Sequence, residues 1–508
     1  MITTTIPCRG GLNLSANGQE LLSKPNEAIQ LLNFECSRQG GYRRISGYEE
    51  YGIAVPGTGS ILGVRNYKGL IAARNDKLYH TEDGTYWLQV NKDVDNEDET
   101  ALLAASETPR IADGRYMFSR HLLGDTEYLL MVDGKNNPAV LSITGDDKAT
   151  FNYRYREITE STELLGAKYC TMAKNQFVIA GLPNDRAAFY YSSHASTDLQ
   201  SPEDDDKEIP QENFNGSTSG FISVGDIITG IKTHRDILYV FCESSIHKVS
   251  GIETAEPTVE ALTRDIGCLD GFTIQEIGGD LIFLAPDGLR TIAKTERLDD
   301  IELGVISRKV SKIIEPRTRE ASRYSFYSTV IRDKNQYRLW WIDTDNVDSV
   351  QKGLIAAFTF NSNDNSFAWA FSELSGLGVT CVDNNYFEGN ERIVHGNQAG
   401  EVCIQETGAT FNGEAINYLY QSPYSDFGDI GLRKNIHKVD VSTRPEGTVD
   451  IGLEVRYDYE NSDVHQPVAY TLETIVLPAI FGEVLTTFGD PLITFGASSS
   501  PSRDVYTE

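Results

Sequence analysis

Residues 61–80, ILGVRNYKGLIAARNDKLYH, contain the pattern that decides the fold. A first apolar run ends at the turn NYKG, a second run, LIAAR, follows, and the turn NDK leads into a third. Gly, Asn and Asp in short polar segments between apolar runs are typical of turns between antiparallel strands. The stretch therefore predicts a meander of short β-strands with a continuous apolar strand in its interior.

The same unit recurs along the chain. Its apolar strand is anchored in turn at Leu70, Tyr128, Phe177, Ile237, Leu281, Tyr337 and Ile393. One meander cannot bury both of its faces, but meanders stacked face to face around an axis cover one another and leave only short edges. The pattern predicts an all-β fold, a β-propeller of six to seven blades. A row of separate β-sandwich domains is the alternative; the lack of a linker rich in Pro, Gly and Ser across residues 57–406 counts against it.

Changes of pattern along the chain predict three parts. Residues 1–56 form an N-terminal arm or clamp, and residues 57–406 form the propeller with loop insertions. Residues 407–508 form a small C-terminal β-sandwich-like domain with a flexible tail. The C-terminal domain is predicted from the strict alternation of apolar residues in TVDIGLEVRYDY, residues 448–459, which is typical of a strand buried on one face.

Three segments interrupt the repeat. Residues 91–100 and 196–220 are acidic and rich in turn-forming residues, and they are predicted to be loops. Residues 305–316, VISRKVSKIIEP, have apolar residues at helical spacing, so a helix is predicted there with Pro316 as its end.

The charge balance limits the kind of partner. The chain has 45 Lys and Arg against 74 Asp and Glu, a net charge of −29. A protein that grips nucleic acid needs basic side chains to displace counterions from the phosphates, so nucleic acid is not expected as a tightly held ligand. An acidic wall would still let DNA pass as non-specific cargo. A charge that serves solubility alone is the alternative.

The cysteines and the chain start bear on the compartment. The seven cysteines are odd in number and form no CxxC pair, which predicts free thiols made in a reducing cytosol. We find no signal peptide pattern and no apolar run long enough to cross a membrane, and we expect no membrane insertion.

Motifs that carry chemistry are not found, and we expect no catalytic, cofactor or metal site. GTGSILG (57–63) precedes a strand, whereas a dinucleotide fingerprint follows one, and GSTSG (216–220) has Thr218 where a hydrolase elbow has serine. DTDNVD (343–348) lacks the glycine and the distal glutamate of a calcium loop. The chain is therefore not expected to be an enzyme, although carboxylates from distant blades could still form a polysaccharide-cleaving site.

The N-terminal arm carries the most specific pattern: GGLNL, then KPNEAIQLLNFE, then GGYRRISGY. It resembles the opening of bacteriophage tail nozzle proteins, the tail tubular protein B type of short-tailed phages, to which packaged-DNA-stabilisation connectors are related in architecture. SPYSDFGDIGLRKNIHKVDV, residues 422–441, resembles the strand pair after the propeller in these proteins. The matching arm positions are Gly10, Gly11, Leu12, Asn13, Glu27, Ala28, Leu32, Asn33, Gly41, Arg43, Arg44, Gly47 and Tyr48.

The resemblance implies a structural virion protein. Such a chain would be a ring-forming nozzle or head-to-tail connector subunit that conducts or retains DNA between capsid and host. It would form a homo-oligomer, most simply a hexamer, with adaptor or portal proteins above and tail fibre or needle proteins below. Its place would be the virion tail, assembled in the host cytoplasm. A propeller-type tail protein that binds or degrades polysaccharide is the alternative.

The segment GGYRRISGYEEYG, residues 40–52, has glycines beside two arginines and is compatible with an anion-binding loop or a clamp. No helix opens after the glycines, so a phosphate cradle lacks its context and a clamp is predicted. The candidates for assembly contacts are Leu32, Asn33, Tyr42, Arg43, Arg44 and Tyr48. The candidates for the lumen or a gate, chosen by charge alone, are Asp204, Asp205 and Asp206.

Overall fold

The structure is a computed structural model of the chain. It describes all residues except 1–4, 7, 38–40, 93–109, 124–125, 145–151, 160–161, 194–213, 215–218, 255, 294–303, 347–350, 362–365, 388, 429–435, 437, 442–448, 458–462, 468, 475–503 and 506–508. The chain divides into two compact units, Thr5–Pro423 and a second that begins at Tyr424. The boundary predicted after residue 406 differs from this division, because residues 410–421 pair with the arm.

The arm contains one short helix and four short strands. They are α1 (Gly18–Leu22), β1 (Gln30–Leu32), β2 (Phe34–Cys36), β3 (Tyr42–Arg44) and β4 (Tyr48–Glu50). A capping box starts the helix, since Asn17 accepts from the Glu20 backbone and the Glu20 carboxylate accepts from the Asn17 backbone. Strands β2 and β3 form an antiparallel pair, whereas β1 and β4 join sheets that are distant in sequence.

Four antiparallel meanders of four strands follow the arm. They are blade 1 (β5 Ile61–Asn66, β6 Leu70–Arg74, β7 Lys77–Thr81, β8 Leu88–Lys92), blade 2 (β9 Met117–Leu123, β10 Thr126–Val132, β11 Ala139–Thr144, β12 Asn152–Glu157), blade 3 (β13 Tyr169–Ala173, β14 Gln176–Ala180, β15 Ala188–Tyr191, β16 Gly220–Ser223) and blade 4 (β17 Ile228–His234, β18 Ile237–Cys242, β19 Ile246–Ser250, β20 Thr258–Thr263). The last strands of blades 1 and 2 also pair in parallel, which joins these blades into one eight-stranded sheet.

Three further meanders complete the series. They are blade 5 (β21 Gln275–Ile277, β22 Asp280–Ala285, β23 Gly288–Thr291), blade 6 (β24 Tyr324–Ile331, β25 Gln336–Asp343, β26 Lys352–Asn361, β27 Ser366–Ser375) and blade 7 (β28 Cys381–Phe387, β29 Asn390–Gly396, β30 Val402–Gln405). Helix α2 (Ser311–Arg319) contacts β23. The helix lies near its predicted place but does not end at Pro316, because the buried residues Ile314 and Thr318 anchor the turns on both sides of the proline.

Blades 6 and 7 take their outer strands from segments at either end of the propeller unit. After blade 7 come β31 (Thr410–Phe411), β32 (Glu414–Ala415) and β33 (Leu419–Gln421). Strand β1 lies between β27 of blade 6 and β33. Strand β4 pairs with β30 of blade 7 on one side and with β31 on the other. The arm is therefore built into the sheets of the propeller.

The blades close into a ring. The first strand of each blade lies towards the middle, and β28 of blade 7 contacts β5 of blade 1. Successive clusters of buried side chains draw on neighbouring blades, and one joins Val394 of blade 7 to Ile61 of blade 1. The unit Thr5–Pro423 is thus a β-propeller, as predicted, and its seven blades lie within the predicted six to seven. All seven anchor residues lie in the second strand of their blade.

The second unit is also built from strands. Its elements are β34 (Val439–Asp440), β35 (Val449–Leu453), β36 (Tyr470–Thr474) and β37 (Asp504–Val505). Strands β35 and β36 form one antiparallel pair, and β34 and β37 form another. Strand β37 lies in the segment predicted to be a flexible tail. Within the described ranges of the chain, no helix has both the length and the apolar character needed to cross a membrane.

Candidate functional site

The six assembly candidates lie on the arm or beside its strands, where the arm meets its own propeller. Leu32 ends β1 and faces Glu373 of blade 6 on one side and Leu419 of β33 on the other. Tyr42, Arg43 and Arg44 make up β3, Tyr48 starts β4, and Asn33 lies between β1 and β2. A contact of these residues with a second subunit stays a prediction. We call residues 10–50, together with the residues of blades 6 and 7 that they contact, the clasp.

Asn33 is the most constrained residue of the clasp. Its backbone is left-handed, with φ of 56°, and its side chain is buried. The side-chain amide donates to the carbonyls of Ser375 at 3.1 Å and Asn417 at 2.8 Å, and its oxygen accepts from the Ser375 backbone at 3.0 Å. An asparagine tolerates this conformation and supplies both donors and an acceptor. Asn33 therefore ties the arm to the end of blade 6 and to the segment before β33.

The aromatic candidates pack against residues at the end of the propeller unit. The Tyr42 hydroxyl accepts from the Gly11 backbone at 2.9 Å, and its ring lies 5.4 Å from that of Tyr420. Tyr48 stacks on Phe411 at 5.3 Å and meets the buried His395 edge-on at 5.0 Å. Desolvation by burial raises the pKa of Tyr48 to about 12, so the hydroxyl stays neutral.

The two arginines have different surroundings. The Arg44 guanidinium lies over the ring of Tyr418, 5.4 Å from its centre, a cation–π contact within the chain. Arg43 is exposed and stands opposite Glu35 in the strand pair β2–β3. Strand β4, and not a helix, is the next element after them. The clamp interpretation of residues 40–52 is compatible with these contacts.

A buried charge cluster forms the centre of the clasp. Glu35 accepts from Lys334 at 2.8 Å and from Gln336 at 3.0 Å. Arg338 forms an ion pair with Glu406 at 2.6 Å and lies 3.5 Å from Glu35. Burial by itself would raise the pKa of Glu406, but Arg338 and Lys334 outweigh it and lower the pKa to about 2. The two acids and two bases thus compensate one another away from water.

Sequence reasoning missed this cluster. Glu35 interrupts the apolar stretch LLNFEC (31–36), and Arg338 interrupts the apolar run of β25. Two opposite charges placed where the pattern demands burial are a signal that they meet, because a lone buried charge is costly. Because Glu35 and Arg338 are far apart in the chain, the sequence does not indicate which charges pair.

The beginning of the arm is held to blade 6 and to the segment before α2. The Leu12 backbone donates to the carbonyl of Phe371 at 2.7 Å. Buried Asn13 donates to Glu27 at 2.5 Å, and Glu27 forms an ion pair with Lys309 at 2.8 Å. Leu12, Asn13 and Glu27 therefore form hydrogen bonds within the clasp.

The lumen and gate candidates cannot be placed. Asp204, Asp205 and Asp206 lie outside the described residues. Residues 93–100 of the other acidic loop also lie outside them. Among the residues that are described, no group of three or more His, Cys, Asp or Glu side chains could hold a metal ion. The seven cysteines are free thiols, and burial raises the pKa of Cys403 to about 12, which leaves it a poor nucleophile.

Side chains meet across the axis of the ring at the end where the first strands of the blades begin. The Arg115 guanidinium lies between the rings of Phe272, 4.0 Å away, and Tyr327, 4.5 Å away. It forms an ion pair with Asp270 at 2.8 Å and donates to the carbonyl of Phe326 at 2.6 Å. Residues of blades 2, 5 and 6 meet in this way at the axis.

Comparison with known proteins shows similarity only at the level of solved structures. No family model and no curated protein matches the chain. Kluyveromyces lactis Hsv2p is 9% identical with a TM-score of 0.30, and the match covers 62% of this chain and 97% of that one. The extracellular domain of the hybrid two component system BT4673 from B. thetaiotaomicron is 9% identical with a TM-score of 0.37, covering 70% and 39%. TM-scores this low do not establish a shared fold. The assignment of the chain to the β-propellers rests on the order of its strands and the closure of its ring.

Proposed function

We propose that the chain is a structural virion protein, a ring-forming nozzle or connector subunit of a short-tailed phage. The observation that carries the proposal is the clasp. Among the arm positions that resemble these proteins, Leu12 and Asn33 form hydrogen bonds with blade 6, and Asn13 forms one with Glu27 of the arm. These contacts support the proposal, because they give the residues that carry the resemblance a role in closing the propeller of this chain.

The charge of the chain fits a passive role. Repeated copies with a net charge of −29 around a bore would repel DNA phosphates and would let the genome slide without adhesion. The bore in this proposal is the space between subunits, because Arg115 and Asp270 cross the axis of the propeller itself. Adaptor or portal proteins above the ring and fibre or needle proteins below it belong to the same proposal, as does the absence of catalysis.

The first prediction concerns assembly. The purified full chain should form one closed ring, with a mass six times the 56.4 kDa of the chain. Native mass spectrometry at micromolar concentration measures this mass, and electron microscopy shows whether a central bore exists. Arg43→Ser, at an exposed position of β3, should shift the population towards smaller species, whereas Arg319→Ser, on the exposed side of α2, should leave the ring intact.

A monomer at micromolar concentration would contradict the proposal. Turnover of host surface polysaccharide by the purified protein would instead favour the alternative of a polysaccharide-degrading tail protein. Half-buried Tyr190 and exposed Phe221, whose rings stack at 5.4 Å, are the feature of blade 3 that suits a sugar ring. Binding without turnover would favour a polysaccharide-binding module.

A further inference from the structure

A cavity of about 670 Å³ opens on the ring axis at the end opposite to Arg115. It lies where the first strands of blades 1 to 4 end, and this volume is typical of small-molecule sites. Although the chain is strongly acidic, the cavity is lined by several basic groups. These groups are Arg65, Arg120, His121, Lys174 and Lys232.

The position of Lys232 identifies the cavity as axial. Lys232 lies in β17 of blade 4, and its pKa is lowered first by burial and then by the nearby charges of Arg65 in blade 1 and Arg332 in blade 6. Blades 1, 4 and 6 are not neighbours in the ring, so their residues approach one another only around the axis. Glu276 partly opposes the two arginines.

Lys232 has no hydrogen-bond or ion-pair partner among the residues that the structure describes. The other cations of the cavity differ in this respect: Arg120 is paired with Glu127, and Lys174 lies 3.6 Å from Asp236. Lys232 is half-buried, and the two arginines near it make its charge more costly, a cost that a bound anion would lower.

Two more donors around the cavity are unused. Arg65 forms an ion pair with Asp383 through one terminal nitrogen at 2.6 Å, but its buried Nε lacks a hydrogen-bond partner. Nε2 of His121, in blade 2, is also buried without one. The acids of the cavity, Asp236 and Glu253, are exposed at its rim and do not neutralise its interior. The cavity is therefore lined by basic side chains from blades 1, 2 and 4, and two of them hold a nitrogen that lacks a hydrogen-bond partner.

We propose that the axial cavity binds a phosphate group, free or carried by a small molecule, through Lys232, Arg65 and His121. Donors that approach from three blades suit a tetrahedral oxyanion better than a planar carboxylate, which one arginine can hold alone. The volume leaves room for more than the phosphate itself. This inference does not depend on the proposed tail function.

The test measures binding of inorganic phosphate, pyrophosphate and glucose 6-phosphate to the full chain by calorimetry, with acetate and chloride at equal ionic strength. Saturable binding of the phosphates and none of acetate is expected. Lys232→Met should weaken phosphate binding by at least about tenfold, as a lost charged hydrogen bond does. Lys312→Met, on the exposed face of α2, should bind like the unaltered chain.

The unfolding temperature is a second readout, and it distinguishes a binding role of Lys232 from a structural one. It also tests the proposal if Lys232→Met binds no phosphate at all. Without phosphate, Lys232→Met should unfold at a higher temperature than the unaltered chain, because it removes a positive charge that lies near Arg65 and Arg332. With phosphate, only the unaltered chain and Lys312→Met should be stabilised. Absence of saturable phosphate binding by the unaltered chain would overturn the proposal. So would equal binding of acetate, or an equal loss in both variants. A preference for glucose 6-phosphate over inorganic phosphate would show that the phosphate is carried by a larger molecule.

Discussion

Gly47 lies where the arm passes closest to the end of the propeller unit. A Cβ atom at this position would stand 1.9 Å from the carbonyl oxygen of Thr410, far inside van der Waals contact. The Gly47 backbone also donates to the carbonyl of Gly408 at 3.0 Å, which fixes the distance between the two segments. Any side chain here must therefore push β4 away from β31, and with it the outer part of blade 7.

The second prediction follows from this close approach. Gly47→Ala should lower the free energy of unfolding by about 3 kcal/mol, the upper part of the range for overpacking, since backbone rather than a side chain must move. Gly18→Ala, in the first turn of α1 with no atom within 4 Å of the new Cβ, should leave stability unchanged or raise it by up to about 1 kcal/mol. Urea denaturation measures both. Equal effects of the two variants would contradict the role given to Gly47.

At the scale of elements, the joint between β2 and blade 6 depends on the buried Glu35. Its partners Lys334 and Arg338 lie near the start of β25, and Glu406 follows β30. Three segments remote in sequence are thus held by one set of charges. Because removal of a single member leaves one opposite charge without full compensation, the cluster favours the register of β2 that brings Glu35 to Lys334.

The third prediction tests this cluster. Glu35→Gln should lower the free energy of unfolding by about 3 kcal/mol, the lower end of the range for a broken buried ion pair, because Glu406 remains to compensate the bases. Glu260→Gln, which removes an exposed carboxylate on β20, should change stability by less than about 0.5 kcal/mol. Hydrogen exchange on the same samples should show faster exchange at β2 and β3 in Glu35→Gln only. Unchanged exchange there would contradict the placement of the cluster.

How far the fold can be predicted from the sequence differs between elements. The second strand of each blade is covered on both faces, so it appears as a continuous apolar run, and Leu70 and Tyr337 could be located without a structure. The outer strands β1 and β4 are three residues long, and their partners lie hundreds of residues away, so no local pattern reveals them. The axial cavity could not be predicted for the same reason, because Lys232 and Arg65 are distant in sequence and approach each other only when the ring closes.

For the molecule as a whole, buried groups with displaced pKa values link stability to pH. Burial lowers the pKa of His395 to about 3 and that of His80 to about 4, from an ordinary 6.5. Between these values the unfolded chain binds more protons than the folded chain, so stability falls as pH decreases below 6.5. Glu406, with a pKa of about 2, adds a further loss as pH falls below 4.5.

The fourth prediction concerns this acid sensitivity. The free energy of unfolding should be nearly level above pH 7 and should fall between pH 6 and 4, with each of the two histidines contributing up to about 1.4 kcal/mol per pH unit. His395→Phe should reduce that slope by up to one such contribution, because it keeps the ring contact with Tyr48 and removes the titration. Urea denaturation from pH 7.5 to 4 measures the slope. His465→Gln, at an exposed histidine, should retain it; a slope shared by all three proteins would place the titration elsewhere.

The pairing of β4 with β30 has a consequence for biosynthesis. A ribosome releases Tyr48–Glu50 long before it has made Val402–Gln405, the segment that completes the same sheet. Until then the nascent chain carries an open strand edge that can pair with other chains. Chaperones that shield such edges during translation would therefore raise the yield of this protein, and the last blade can be sealed only after Val402–Gln405 has been made.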